Sequence, residues 1–420
     1  MVTSSDIAAN PVLAAWGGPH GGAPAFDAIE TAHFIPALEA AMAEKRADVA
    51  AIADDPAPPS FANTVEALEA SGPLLTRATR LLNIYTSTLN IPAMREVQTW
   101  ASPKLAALRD EITHNPKLFA RVKAVHDARE ASGLTAEQLR LAFVVYDRFV
   151  RQGAALSAAD KRRLAEINQQ LATLYTRFSQ NVLADEEGQA LVLDDAGDLA
   201  GLSEAQREAA ATEARTRDQA GKWAIANTRS AIEPFLTLAD RRDVREKAFR
   251  LFISRGDGGA HDNRPIVTEV MALRAEKARL LGHPTFAHWI ADGQMAKTPD
   301  AAMKLLTAVW GPARARVAEE VAEMEELAGS EGANEPIAAW DYRYYGEKVR
   351  KAKFDLDEAE VKPYLQLPRM MEGMFWAAGQ LFGLAFTQVH DLPVYHPDVL
   401  VYEVTRGAER VGLWYFDPYA

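Results

Sequence analysis

Residues 394–420 read VYHPDVLVYEVTRGAERVGLWYFDPYA. Val399–Val404 alternates toward Val, Tyr and Val, and Val411–Phe416 is rich in Val, Leu, Trp, Tyr and Phe. The polar stretch Thr405–Arg410 between them contains Gly407, so the spacing predicts a β-hairpin at 399–416. A hairpin this apolar is marginal alone and needs further strands or a helix to cover it. No residue of these 420 follows to do so, and the last four, Asp417-Pro418-Tyr419-Ala420, form no polar tail. The expectation is an incomplete structural unit.

The totals bound the rest. The 420 residues correspond to roughly two to three domains, or one large one. Apolar content of 48% leaves ample material for a core, and the net charge of −12 argues against nucleic acid or an anionic membrane surface as partner. Cysteine is absent, which removes disulfides, thiolate catalysis and cysteine-ligated zinc. Met1–Asp6 shows no basic segment leading into an apolar one, so no secretory signal is expected and the reading leans cytoplasmic. No run of about 18 apolar residues suggests a membrane span.

Working back through the chain, helical periodicity dominates. Ile35, Leu38, Met42, Val49 and Ile52 mark an amphipathic helix over Glu30–Ala53. Asn63-Thr64-Val65-Glu66 resembles a capping box. Further helices are predicted over Ala93–Ile112, Pro116–Ala128, Thr135–Arg151, Glu233–Arg255 and Pro265–Leu281. The longest is expected from Ala158, with Leu164, Ile167, Leu171, Leu174, Phe178 and Val182 in a near-heptad stripe that suits an antiparallel helical neighbour. Thr298-Pro299-Asp300 is a strong helix start, and its Glu-rich continuation to Ala328 reads as a solvated face. Gln189–Asp194 and Trp223–Asn227 read as strands, a small β insert near 189–227. The fold class is mostly α, with the insert and the hairpin as its β elements.

No complete catalytic constellation emerges from the residues. There is no phosphate loop and no nucleophile elbow. His283 and His288 are five apart, too far around a helix to share a ligand face, and His390 and His396 flank Pro393. Asp355-Leu356-Asp357-Glu358 lacks the glycine and later glutamate of a calcium loop. The cluster Trp340, Tyr342, Tyr344, Tyr345 reads first as helix packing. Tyrosines beside a groove could also bind peptide groups.

The segment Trp340-Asp341-x-Arg343-Tyr344-Tyr345-x-Glu347-Lys348-Val349-Arg350-Lys351-Ala352-Lys353 resembles the signature preceding the catalytic core of the thimet-oligopeptidase family of zinc metallopeptidases, and is most similar to its bacterial peptidyl-dipeptidases. Asn10–Leu13, Phe61–Thr64, Asp262–Pro265, Met295–Pro299, Lys362–Tyr364, Glu372–Phe375 and Gly412–Asp417 stand in family order. The resemblance implies a two-lobed helical scaffold with a channel for short peptides. It implies a zinc held by an H-E-x-x-H helix and a downstream Glu. No His in this chain is followed by Glu. The expectation is therefore the N-terminal part of a peptidase that releases C-terminal dipeptides, stopping before the zinc ligands and inactive by itself. The missing C-terminal catalytic part would be its intramolecular partner. A non-catalytic peptide-binding or scaffold protein of the same fold is the alternative.

On that basis the chain divides into an N-terminal helical lobe at 1–157, long helices with the β insert at 158–339, and the start of the catalytic region at 340–420. Tyr344, Tyr345, His396, Asp417 and Tyr419 are candidates for lining the peptide channel, with no catalytic or metal role. Peptide adding as a strand along the hairpin is the expected binding mode.

Overall fold

The computed structural model describes residues 10–354 and 358–419. Asp355–Asp357, in the segment considered for calcium, lies outside them. Two compact units result: one runs to Thr176 and takes in Leu365 onwards, the other is Arg177–Tyr364.

The first unit begins with an irregular segment that leads into α1 (Phe34–Ala53). Before the next long helix the chain caps one turn earlier than the sequence suggests. Ser60 Oγ accepts the Asn63 N–H at 3.2 Å while Asn63 Oδ1 accepts the Ser60 N–H at 2.8 Å, so Asn63 closes the box instead of opening it. Then come α2 (Pro73–Ile84), α3 (Pro92–His114), α4 (Pro116–Ala128) and α5 (Ala136–Arg151). Phe34, Leu38, Leu81, Met94 and Leu108 make one core of these helices, and Leu118, Val122, Val145 and Phe149 a second. Helix α6 (Ala158–Gly188) runs from this unit into the other. Its stripe is buried from Leu164 to Leu174 but surfaces at Phe178. Asn168 donates to Asp110 at 2.7 Å and Thr176 to Ser102 at 2.9 Å, which fastens α6 along α3.

In the second unit β1 (Ala190–Leu193) pairs antiparallel with β2 (Trp223–Ala226), with Leu191 opposite Ile225. Between them lies α7 (Glu204–Thr216), capped reciprocally by Ser203 and Gln206. The expected helix over Glu233–Arg255 is two, α8 (Arg229–Leu238) and α9 (Arg242–Ile253). Periodicity cannot see this break. Arg245 donates to the carbonyls of Ala239 and Asp240 at 2.8 and 3.0 Å, and the Asp240 N–H donates to Ala200 at 2.9 Å, so the backbone finds partners outside the helix. The unit continues with α10 (Arg264–Leu280), α11 (Phe286–Asp292), α12 (Pro299–Ser330) and α13 (Tyr342–Phe354). At 32 residues α12 is one longer than α6, which is 31.

The chain then returns to the first unit as α14 (Leu367–Phe382), β3 (Leu384–Val389), β4 (Leu400–Arg406) and β5 (Glu409–Phe416). The hairpin is there, with its turn shortened to Gly407–Ala408, but it does not stand alone. Strand β3 pairs with β4 to make the sheet order β3-β4-β5. Gly383, in the left-handed region at φ 67°, ends α14 and turns the chain straight into β3. The cover comes from upstream, on both faces. From α14, Phe375 stacks on Phe386 at 4.5 Å and meets Tyr402 and Trp414 at 5.0 and 5.9 Å. The opposite face carries Val401, Leu413 and Tyr415, against which Ala23 and Leu392 pack.

Candidate functional site

Strand β5 lies at one edge of the sheet, hydrogen-bonded to β4 on a single side. Such an edge offers an open row of backbone N–H and C=O groups that an extended peptide can pair with, alternate side chains then facing opposite sides of the sheet. At the end of β5 the chain passes Asp417. Its Oδ2 accepts the Tyr395 hydroxyl at 3.1 Å and its Oδ1 accepts the Tyr419 N–H at 3.2 Å. Burial first, and then the Asp417 carboxylate, push the Tyr395 phenol up to about 12. Tyr395 therefore stays a hydroxyl donor across ordinary pH. Phe26 packs edge-on against Tyr395 and Tyr415 at 5.1 and 5.5 Å, setting both rings in place.

Of the five sequence candidates, the structure brings Asp417 and Tyr419 together. Asp417 is half-buried and the Tyr419 side chain is exposed. His396 is exposed beside Asp398, at 3.6 Å. Tyr344 and Tyr345 lie in the other unit, buried with Met324 and Ala328. The Tyr344 hydroxyl donates to Asp240 Oδ1 at 3.0 Å, and its ring covers the Arg245 guanidinium at 4.0 Å. Tyr344 thus supports the junction of α8 and α9, and Tyr345 packs edge-on against Tyr344 at 5.1 Å. Sequence reasoning missed Tyr395 and Arg245. The phenol of Tyr395 gains meaning only from Asp417, and Arg245 reads as an ordinary charge in an amphipathic helix.

The signature segment acts as a clasp in the second unit. Asp341 Oδ1 accepts from Arg245 at 2.8 Å and Oδ2 from Arg242 at 3.0 Å, while Trp340 lies 5.6 Å from the Arg242 guanidinium and 5.2 Å from that of Arg250. The start of α13 is thereby tied to α9, and the Arg245–Asp341 pair at the centre of the clasp is buried.

The described residues contain no group of three His, Asp or Glu side chains able to hold a metal ion. His20 has two carboxylate neighbours, but they meet opposite ring nitrogens, Nδ1 with Glu403 at 3.0 Å and Nε2 with Asp391 at 3.2 Å, and so cannot share one ion. The donor set present does not fit the zinc that the resemblance implies.

Residues 235–420 match the model of peptidase family M3. The chain is similar to bacterial dipeptidyl carboxypeptidases. It is 41% identical to the dipeptidyl carboxypeptidase of Salmonella typhimurium over 396 residues, covering 94% of this chain and 58% of that protein. With the Escherichia coli dipeptidyl carboxypeptidase the identity is 40%, over 95% of this chain and 59% of the relative. Oligopeptidase A of Salmonella typhimurium is 28% identical over 94% of this chain and 59% of its own length. The chain thus spans a little under three-fifths of the length of these curated relatives.

Proposed function

We propose that this chain forms the scaffold and the peptide-binding wall of a zinc peptidase that acts on short peptides and releases dipeptides from their C-termini. The observation that carries this reading is the 40–41% identity to two dipeptidyl carboxypeptidases over nearly the whole chain. In this reading the β5 edge receives the peptide backbone, and Tyr395, Asp417 and Tyr419 stand at the end of that edge, where side chains select and orient; His396, beside Asp398, is a further candidate for lining the channel. Tyr344 and Tyr345 serve the scaffold of the second unit. The zinc, its ligands and the base that activates water come from sequence outside these 420 residues.

Exposed apolar side chains fit the same reading. Leu306, Val309 and Trp310 on α12 are exposed, as are Trp376, Leu381 and Phe382 on α14. Apolar surface of this kind marks interaction faces. In the whole enzyme these helices pack against the remaining part of the fold.

The test mixes the purified chain with the portion of the Escherichia coli dipeptidyl carboxypeptidase that it does not cover. Chelator-sensitive release of C-terminal dipeptides by the mixture, and none by either piece, is the expected result. Turnover by the chain alone would overturn the placement of the zinc site, and internal cleavage by the mixture would overturn dipeptide release. A non-catalytic peptide-binding protein is the second reading, favoured by the open β5 edge; it predicts saturable peptide binding and a complex that turns nothing over.

A further inference from the structure

We propose that His20 is a pH-sensitive latch that holds the N-terminal segment against the sheet carrying Tyr395 and Asp417. His20 sits in the loop Gly17-Gly18-Pro19-His20-Gly21-Gly22, itself in the left-handed region at φ 55°. Its Nδ1 lies 3.0 Å from Glu403 Oε1 on β4 and its Nε2 3.2 Å from Asp391 Oδ1 in the turn after β3. A carboxylate only accepts hydrogen bonds, and a neutral imidazole has one N–H. Both bonds exist together only when the ring carries both protons. The imidazolium is therefore the form this pocket is built for, and loss of one proton sets a ring lone pair against a carboxylate.

Among the described residues Arg410 of β5 also reaches the loop, where it donates to the His20 carbonyl and lies over Gly21. Its guanidinium opposes protonation of the ring, yet it binds the backbone, whereas the two carboxylates bind the ring nitrogens directly. The hydrogen bond to Glu403 raises the His20 pKa above its ordinary 6.5, burial works against it, and Asp391 adds to the rise.

The same segment supplies Ala23 and Phe26 to the sheet. Ala23 packs with Val401 and Leu392, and Phe26 buttresses Tyr395 and Tyr415. Apolar contacts and local backbone hydrogen bonds hold that part of the segment, and the His20 contacts hold its glycine-rich end. Because the folded pKa is raised, the latch is fully engaged below about 6.5 and is lost as pH rises through the raised value. Loosening it frees the glycine-rich stretch 17–22 from β4 and from the turn after β3, while Phe26 stays buried in the core. The inference does not depend on the peptidase reading, since it concerns only how this sheet face is closed.

The experiment follows the imidazole resonances of the full chain by NMR between about pH 5.5 and 8.5, assigning His20 from the His20→Asn variant. Hydrogen exchange of residues 10–26 is measured over the same range and corrected for the intrinsic rate. The His20 midpoint is expected above 6.5, and lower by about half a unit or more in Glu403→Gln and in Asp391→Asn. Protection of residues 10–26 should fall about tenfold across that midpoint in the wild type and show no step in His20→Asn. Should His20→Asn disturb the fold, the two carboxylate variants retain the ring and move the step to lower pH. A midpoint at or below 6.5, or protection that does not change as His20 titrates, overturns the proposal.

Discussion

Arg245 and Asp341, 96 residues apart in sequence, meet at 2.8 Å with side chains only 2% and 1% exposed. Asp341 is also the acceptor for Arg242 and for the Ala338 N–H at 3.1 Å, so one carboxylate joins α9 to the start of α13. Removing one partner of a buried pair leaves the other charge uncompensated, at a cost of about 3–5 kcal/mol. Asp341→Ala should lower the unfolding free energy of the chain by that amount, measured by denaturant titration. Arg242→Ala, which removes a partly exposed partner, should cost less.

Asp185 is a second buried acid in the same unit. Burial disfavours its charge, but the Gly256 N–H at 2.8 Å, His261 Nδ1 at 2.7 Å and Gln189 Nε2 at 3.0 Å outweigh it and hold the carboxyl below its ordinary 3.8. A depressed carboxyl contributes stability that is present above the unfolded pKa and lost as pH falls through the folded value. Acid unfolding followed by circular dichroism should therefore begin at higher pH in Asp185→Asn. Near neutral pH that variant should be less stable by about 1.5–3 kcal/mol.

Tyr395 and Tyr85 should both ionise near pH 12, Tyr85 through burial alone and Tyr395 through burial together with Asp417. Each raised phenol adds stability that is intact below about 10 and disappears as pH rises through the folded value. An alkaline titration of phenolate absorbance should show a late group that shrinks by one ring in Tyr395→Phe. In Asp417→Asn the Tyr395 part should shift downward without vanishing, because the leading cause is burial.

The N-terminal half of α12 exposes Leu306 at 61% and Trp310 at 64%. Exposed apolar residues spaced along one helix favour self-association. Sedimentation of the purified chain should show concentration-dependent association, weakened about tenfold for each ~1.4 kcal/mol of apolar burial removed from the interface. Leu306→Glu and Trp310→Glu should shift it toward monomer, with the unfolding free energy unchanged to within about 0.5 kcal/mol.

Gly201 has φ +87°, and a Cβ there would run into the Leu238 carbonyl and the Asp240 side chain. Gly201→Ala should be destabilised by more than about 1 kcal/mol, measured by thermal unfolding, since both the backbone conformation and the space oppose it.

Much of the helical class was legible in the residues, because helix periodicity and caps are local. Pro116–Ala128 and the Thr298-Pro299-Asp300 start are found where spacing and capping chemistry put them. The strands near 190 and 223 and the hairpin were legible for the same reason, as short apolar alternations bounded by turns. The likeness to the metallopeptidases rests on residue order along the chain and needs no coordinates.

Tertiary structure alone decided what those elements meet. The stretch 394–420 read as a hairpin without cover, yet Phe375 and Phe386 from upstream close one face, and Ala23 and Phe26, nearly the whole chain away, close the other. The break between α8 and α9, the Arg245–Asp341 clasp and the Tyr395–Asp417 pair each arise from hydrogen bonds between groups whose local sequence gives no sign of them. A charge or hydroxyl takes its role from the partner that desolvation forces it to find, and that partner is set by packing across the fold.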